Sequence, residues 1–140
     1  MRWLAAILFA VVLGVSAQAA SIEARLIRAS NEGENSDEQL RKLEPKLKKV
    51  FGYVFYTQLG VQKVPLKEDE RLRLDLGEGI VIFITPKAEE KKIRIMDFEM
   101  YSGRAALVKS TLHVTREREM LVKGPEVGNS LLIVSFAVVE

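Results

Sequence analysis

The sequence predicts a mainly β (α+β) fold: an antiparallel β-sandwich or partly open barrel of about eight to nine strands, with one helix after the first strand. Three observations predict it. Residues 71–76 (RLRLDL) alternate charged and apolar, the period-two pattern of a strand with one wet face. Residues 80–85 (IVIFIT) and 131–139 (LLIVSFAVV) are apolar on both faces, as strands covered on both sides must be. Helical periodicity appears only once, between residues 36 and 51, and short turn-forming stretches separate the rest.

Residues 1–19 read as a cleavable secretory signal. Arg2 supplies a positive start and residues 4–15 (LAAILFAVVLGV) an uncharged apolar run, and Ala17 and Ala19 give the small-x-small pattern of a cut before Ala20. A spanning helix needs about 20 apolar residues, and this stretch ends in small or polar ones, so a retained anchor is the lesser alternative. The expectation is an exported protein, periplasmic or extracellular and of bacterial type, with residues 20–140 as a single β-rich domain and no stable membrane span after cleavage.

Residues 21–29 alternate and read as the first strand, followed by a polar loop at 31–37 (NEGENSD). Ser36 with Gln39 suggests a capping box opening a helix that runs to Phe51, with Leu40, Leu43, Leu47, Val50 and Phe51 on one face and Gly52 as its stop. Pro45 lacks an N–H, which implies a kink or two short helices meeting at Glu44. Strands are expected at 53–59 and 61–66, with Pro65 suiting an edge. Gly77, Glu78 and Gly79 form a tight connection between residues 71–76 and 80–85, and residues 87–92 (KAEEKK) a charged turn. In residues 93–101, Ile93 and Ile95 fall out of phase with Phe98 and Met100, which a β-bulge near Met96 and Asp97 would reconcile. Residues 105–115 alternate again, 120–122 are a brief strand, and Lys123, Gly124 and Pro125 read as a turn.

Composition excludes more than it identifies. The chain has 140 residues and no cysteine, which rules out thiolate catalysis, Cys-ligated zinc, iron–sulfur clusters and disulfides. With 21 Lys and Arg against 19 Asp and Glu, and Arg2 lost with the signal, the net charge is near zero. Such a balance gives no broad pull toward nucleic acid or anionic lipid. No phosphate loop, dinucleotide fingerprint or nucleophile elbow is present, so no cofactor, no metal and no nucleic-acid partner is expected.

The remaining candidates are weak one by one. His113 is the single histidine and reads as an exposed strand residue. Asp97 and Glu99 share a face if no bulge intervenes and would suit glycoside hydrolysis, although spacing of two is also what any solvated strand offers. The 31–37 loop holds enough oxygen donors for Ca²⁺ but lacks the EF-hand order, and a solvated loop explains it. Arg41, Lys42, Lys46, Lys48 and Lys49 are diluted by Glu38 and Glu44 and read as a wet helix face. Tyr53, Phe55 and Tyr56 are the candidate partner-binding residues, because tyrosine joins apolar area to a polar tip. The preferred function is a non-catalytic protein that acts through protein contacts, an accessory of a cell-envelope assembly. A strand such as 62–66 at an open edge would serve for β-augmentation. The alternatives are a binder of a small apolar ligand or lipid, and a hydrolase using Asp97, Glu99 or His113.

Overall fold

Which residues alternate decides which face each strand buries, and two sets of inward faces meet in this chain. A computed structural model describes residues 20–116 and 118–139. The export segment read at residues 1–19 lies outside the described residues. The elements are β1 (Ser21–Ser30), a 3₁₀ turn (Glu38–Leu40), α1 (Glu44–Phe51), β2 (Phe55–Pro65), β3 (Leu72–Gly77), β4 (Ile80–Glu90), β5 (Ile93–Ser102), β6 (Ala105–Thr115), β7 (Met120–Val127) and β8 (Ser130–Val139).

The strands form two antiparallel four-stranded sheets, in the orders β2-β1-β8-β7 and β3-β4-β5-β6, giving a sandwich and not a closed barrel. Between them lie Ile22, Ala24 and Leu26 of β1, Leu132, Val134, Phe136 and Val138 of β8, and Ile80, Ile82, Ile84, Met96, Phe98 and Met100 of β4 and β5. Phe98 stacks on Phe136 across the gap, centroids 5.1 Å apart. A second apolar cluster sits on the outer face of the first sheet. There α1 and the 3₁₀ turn lay Leu40 and Leu47 over Ile27, Ala29, Tyr56, Leu131 and Ile133. This double cover explains why residues 131–138 are all buried.

Pro45 splits the helical segment. It stands in the first turn of α1, where its missing N–H costs no intrahelical bond, so the helix starts at Glu44. Gly52 closes it in the left-handed conformation, φ 76°, its N–H donating to the Lys48 carbonyl at 3.0 Å.

Several boundaries differ from the sequence reading. Residues 55–65 make one strand and not two. β4 continues through Pro86 to Glu90, and the turn falls at Lys91 and Lys92, both at positive φ. No bulge occurs at Met96–Asp97: Met96, Phe98 and Met100 point inward together, and Ile93 and Ile95 face outward. The irregularities lie instead on the neighbours, between Pro86 and Ala88 and opposite Met100 and Tyr101. Lys123, Gly124 and Pro125 bulge within β7 and do not end it.

Candidate functional site

The sequence candidates separate once placed. Tyr56 is fully buried beneath α1, and burial raises its hydroxyl pKa above the ordinary tyrosine value although the Tyr53 backbone pulls it down. It has no surface to offer a partner. Tyr53 is half-buried against the same cluster, and Phe55 is half-buried over Gly33. Each lines an open cleft at one end of the sandwich, the Tyr53 cleft holding about 570 Å³ and bounded also by Asn31, Phe51 and Glu126.

The 31–37 loop spends its oxygens on the protein. Asn31 Oδ1 accepts from the Val54 N–H at 3.1 Å. Ser36 Oγ accepts from the Tyr56 N–H at 3.0 Å, and Asp37 Oδ2 from the Gln58 N–H at 2.8 Å. The expected capping box is therefore absent. Ser36 and Asp37 satisfy the edge of β2, and neither side chain caps the 3₁₀ turn that follows. Among the described residues no three His, Asp or Glu side chains converge as a metal-binding group.

Asp97 and Glu99 do share the outer face of the second sheet, but each is held by its neighbours. Glu99 Oε2 accepts from Arg71 Nη2 at 2.7 Å, and the Lys109 ammonium stands 3.8 Å from Oε1. The Arg71 hydrogen bond holds the Glu99 carboxyl below the ordinary glutamate range. Arg71 also lies over the Phe83 ring, 3.8 Å from its centroid. Asp97 accepts from Thr111 Oγ1 at 3.1 Å and has Lys87 at 3.7 Å. A general acid needs a raised pKa, and Glu99 is shifted the other way. His113 is paired by register with Ile95, one step further along the ladder, and lines a different cleft with Lys46 and Glu119.

A different feature emerges from the backbone: the sandwich has four sheet edges, and three are blunted. An edge strand presents a row of unpaired N–H and C=O groups, which proteins blunt with short strands, prolines, bulges, charges or covering segments. On β2, Ser36 and Asp37 occupy part of the edge, with the Asp37 N–H donating to the Tyr56 carbonyl at 2.9 Å. Further along, Gly60 abuts the Leu76 carbonyl and Gln62 Nε2 donates to the Asp75 carbonyl. This settles the 62–66 stretch: it is an edge, but one tied to β3. β3 itself has only six residues and carries Arg73 and Asp75 outward. β7 is shifted in register by its Gly124–Pro125 bulge, and Pro125 has no N–H to give.

β6 is the exception. It runs for 11 residues without proline, stands last in its sheet and, among the described residues, pairs only with β5. Its single bulge leaves Leu107 unpaired near the start, after which Val108 to Thr115 match β5 residue for residue. Leu107 is 40% exposed. Val108 and Leu112 are only partly buried against the core. Lys109 is its one charged residue, and the ammonium is drawn toward Glu99 on the outer face.

No protein-family model, no curated protein and no solved structure matches the chain. The site therefore stands on its own geometry. Among the described residues no helix is long and apolar enough to cross a membrane. Sequence reasoning passed over β6 because its alternation resembles that of any half-buried strand. Only the sheet order shows that no described strand stands beside it.

Proposed function

We propose that this chain is an exported, non-catalytic β-sandwich protein that works through protein contacts in the cell envelope, with β6 receiving a strand from its partner. Three blunted edges beside one that no described strand covers carry the reading. An extended segment laid along β6 gains main-chain hydrogen bonds, and the alternate side chains on its two faces supply specificity. Val108 and Leu112, partly covered by their own core, take cover from such a segment. Export is supported by Arg2, the apolar run that follows it and the small residues at 17 and 19.

The two alternatives have less support. An apolar ligand needs an interior to fill, and the space between the sheets is occupied by Ile82, Met100, Val134 and the Phe98–Phe136 stack. Hydrolysis needs carboxylates poised to exchange protons, and both candidates are held in ion pairs.

A photo-crosslinking side chain placed at Ser110 of β6, and separately at Lys63 of β2, tests the reading in the native host. Protein adducts from position 110 and none from 63 are expected. Adducts from 63 alone, or from neither position, would remove β6 as the contact surface.

A further inference from the structure

We propose that the strand received by β6 is the β6 of a second copy, antiparallel and centred on Ser110, so that two four-stranded sheets join into one of eight. This inference rests on the strand-addition reading and names its occupant.

The sequence of β6 is complementary to itself in that register. A two-fold axis through Ser110 sets Val108 opposite Leu112 of the second copy and Leu112 opposite its Val108, all on the face that looks toward the core. Each of these side chains is partly covered by its own sandwich, and the second copy supplies the rest. On the outer face Lys109 stands opposite Thr111 of the other chain, whose hydroxyl is bonded to Asp97. The ammonium thereby comes to the side of the other copy's sheet that carries Asp97, beside Lys87.

Neighbouring registers are worse. A strand pair related by a two-fold must keep like faces together, so the alternatives move the centre by one residue at a time. Centring on Lys109 places two ammonium groups directly opposite, which is destabilising. Centring on Thr111 sets Leu112 against Ser110 and forfeits the Val108–Leu112 match. The Ser110 register alone avoids both faults.

A contact made by one pair of edge strands falls at the small end of specific interfaces, so the association is weak and concentration-dependent. Sedimentation of the signal-free chain should show a weight-average mass rising from monomer toward dimer between about 1 µM and about 1 mM, the range that corresponds to modest binding free energies. Ser110 is exposed and its side chain makes no described hydrogen bond, so its substitution spares the monomer. Ser110→Lys and Ser110→Asp each set like-charged side chains directly opposite at the axis, their Cβ atoms about 5 Å apart, and should each weaken association by up to about fivefold. Mixed in equal amounts, the two variants should recover it, because the lysine of one then faces the aspartate of the other. In the unmodified chain, amide exchange at residues 108–112 should slow as concentration rises.

A chain that stays monomeric to about 1 mM, or that dimerises equally well with Ser110→Lys and Ser110→Asp, overturns the proposal. If it is monomeric while crosslinks from position 110 to another protein persist, the second copy is the wrong occupant and strand addition stands. If those crosslinks are missing as well, both ideas fall.

Discussion

Gly60→Ala probes a place where the two sheets approach closely. Gly60 lies at the irregularity of β2, next to the register shift opposite Leu26 and Ile27, and its backbone is not in the left-handed region. A Cβ there would stand 2.5 Å from the Leu76 carbonyl oxygen, whereas ordinary contact begins at 3.4 Å. The strands must therefore separate by about 0.9 Å, and because both atoms belong to backbones no side-chain rotation relieves them. Overpacking of this kind costs about 1–3 kcal/mol. Against it stands a gain of about 0.4–1 kcal/mol from stiffening the unfolded chain. The net expectation is a loss of about 1–2 kcal/mol, and each kcal/mol lowers Tm by about 3–6 °C in a domain of this size. Urea unfolding followed by circular dichroism should show a lower midpoint at unchanged slope. Gly60→Asn should be worse still. At Gly103, where φ is 57° and the space is open, Asn should be milder than Ala because it tolerates the left-handed conformation. A Gly60→Ala protein as stable as the parent would refute the close approach of β2 to β3.

Other expectations concern polar groups. Tyr56→Phe and Ser135→Ala each remove a buried hydroxyl that meets no well-formed hydrogen bond among the described residues, and thermal unfolding should find each neutral to about 1 kcal/mol stabilising. Asp37→Ala orphans the Gln58 N–H and should cost about 1–2 kcal/mol, with Ser36→Ala costing about 1 kcal/mol, both by chemical denaturation. Glu119 is desolvated against the helix and sheet, which raises its carboxyl pKa although Arg25 and Lys46 pull it down and Glu23 adds to the rise. A raised acid binds its proton more tightly in the folded state, so its contribution to stability is lost as pH rises past the ordinary glutamate value and through the raised one. Glu119→Gln should accordingly be more stable than the parent at neutral pH, and the difference should vanish in acid. Arg71→Ala should let the Glu99 carboxyl titrate closer to the ordinary value, as followed by NMR.

Much of this fold was legible in the sequence because its signals are local. The two-faced apolar run of β8 demanded cover on both sides and has it, from the opposite sheet and from α1. Pro45 marked a break in the helical segment and Gly52 its stop, each by its own backbone chemistry. What failed to read was set by partners distant in sequence. Ser36 and Asp37 looked like a helix cap, yet the N–H groups they satisfy belong to Tyr56 and Gln58, which no local pattern could reveal. The phase conflict in β5 assumed that Ile93 and Ile95 must be inward, whereas this stretch lies toward the rim, where outward isoleucines are tolerated. Lys123, Gly124 and Pro125 have the composition of a turn, and β8 nevertheless pairs on either side of them. The aromatic trio was a signal of side-chain type alone, and packing took Tyr56 into a core. The open edge of β6 belongs to sheet order, a global property.

The account turns on the β6 edge being open while the β2 edge is partly covered, and residue-resolved hydrogen exchange of the dilute protein measures this directly. Among the amides of β6, the alternate set facing away from β5 should exchange fast, while those of Tyr56 and Gln58 on β2 are slow because Ser36 and Asp37 hold them. Slow exchange along both sides of β6 in the dilute monomer, or fast exchange at Tyr56 and Gln58, would contradict it.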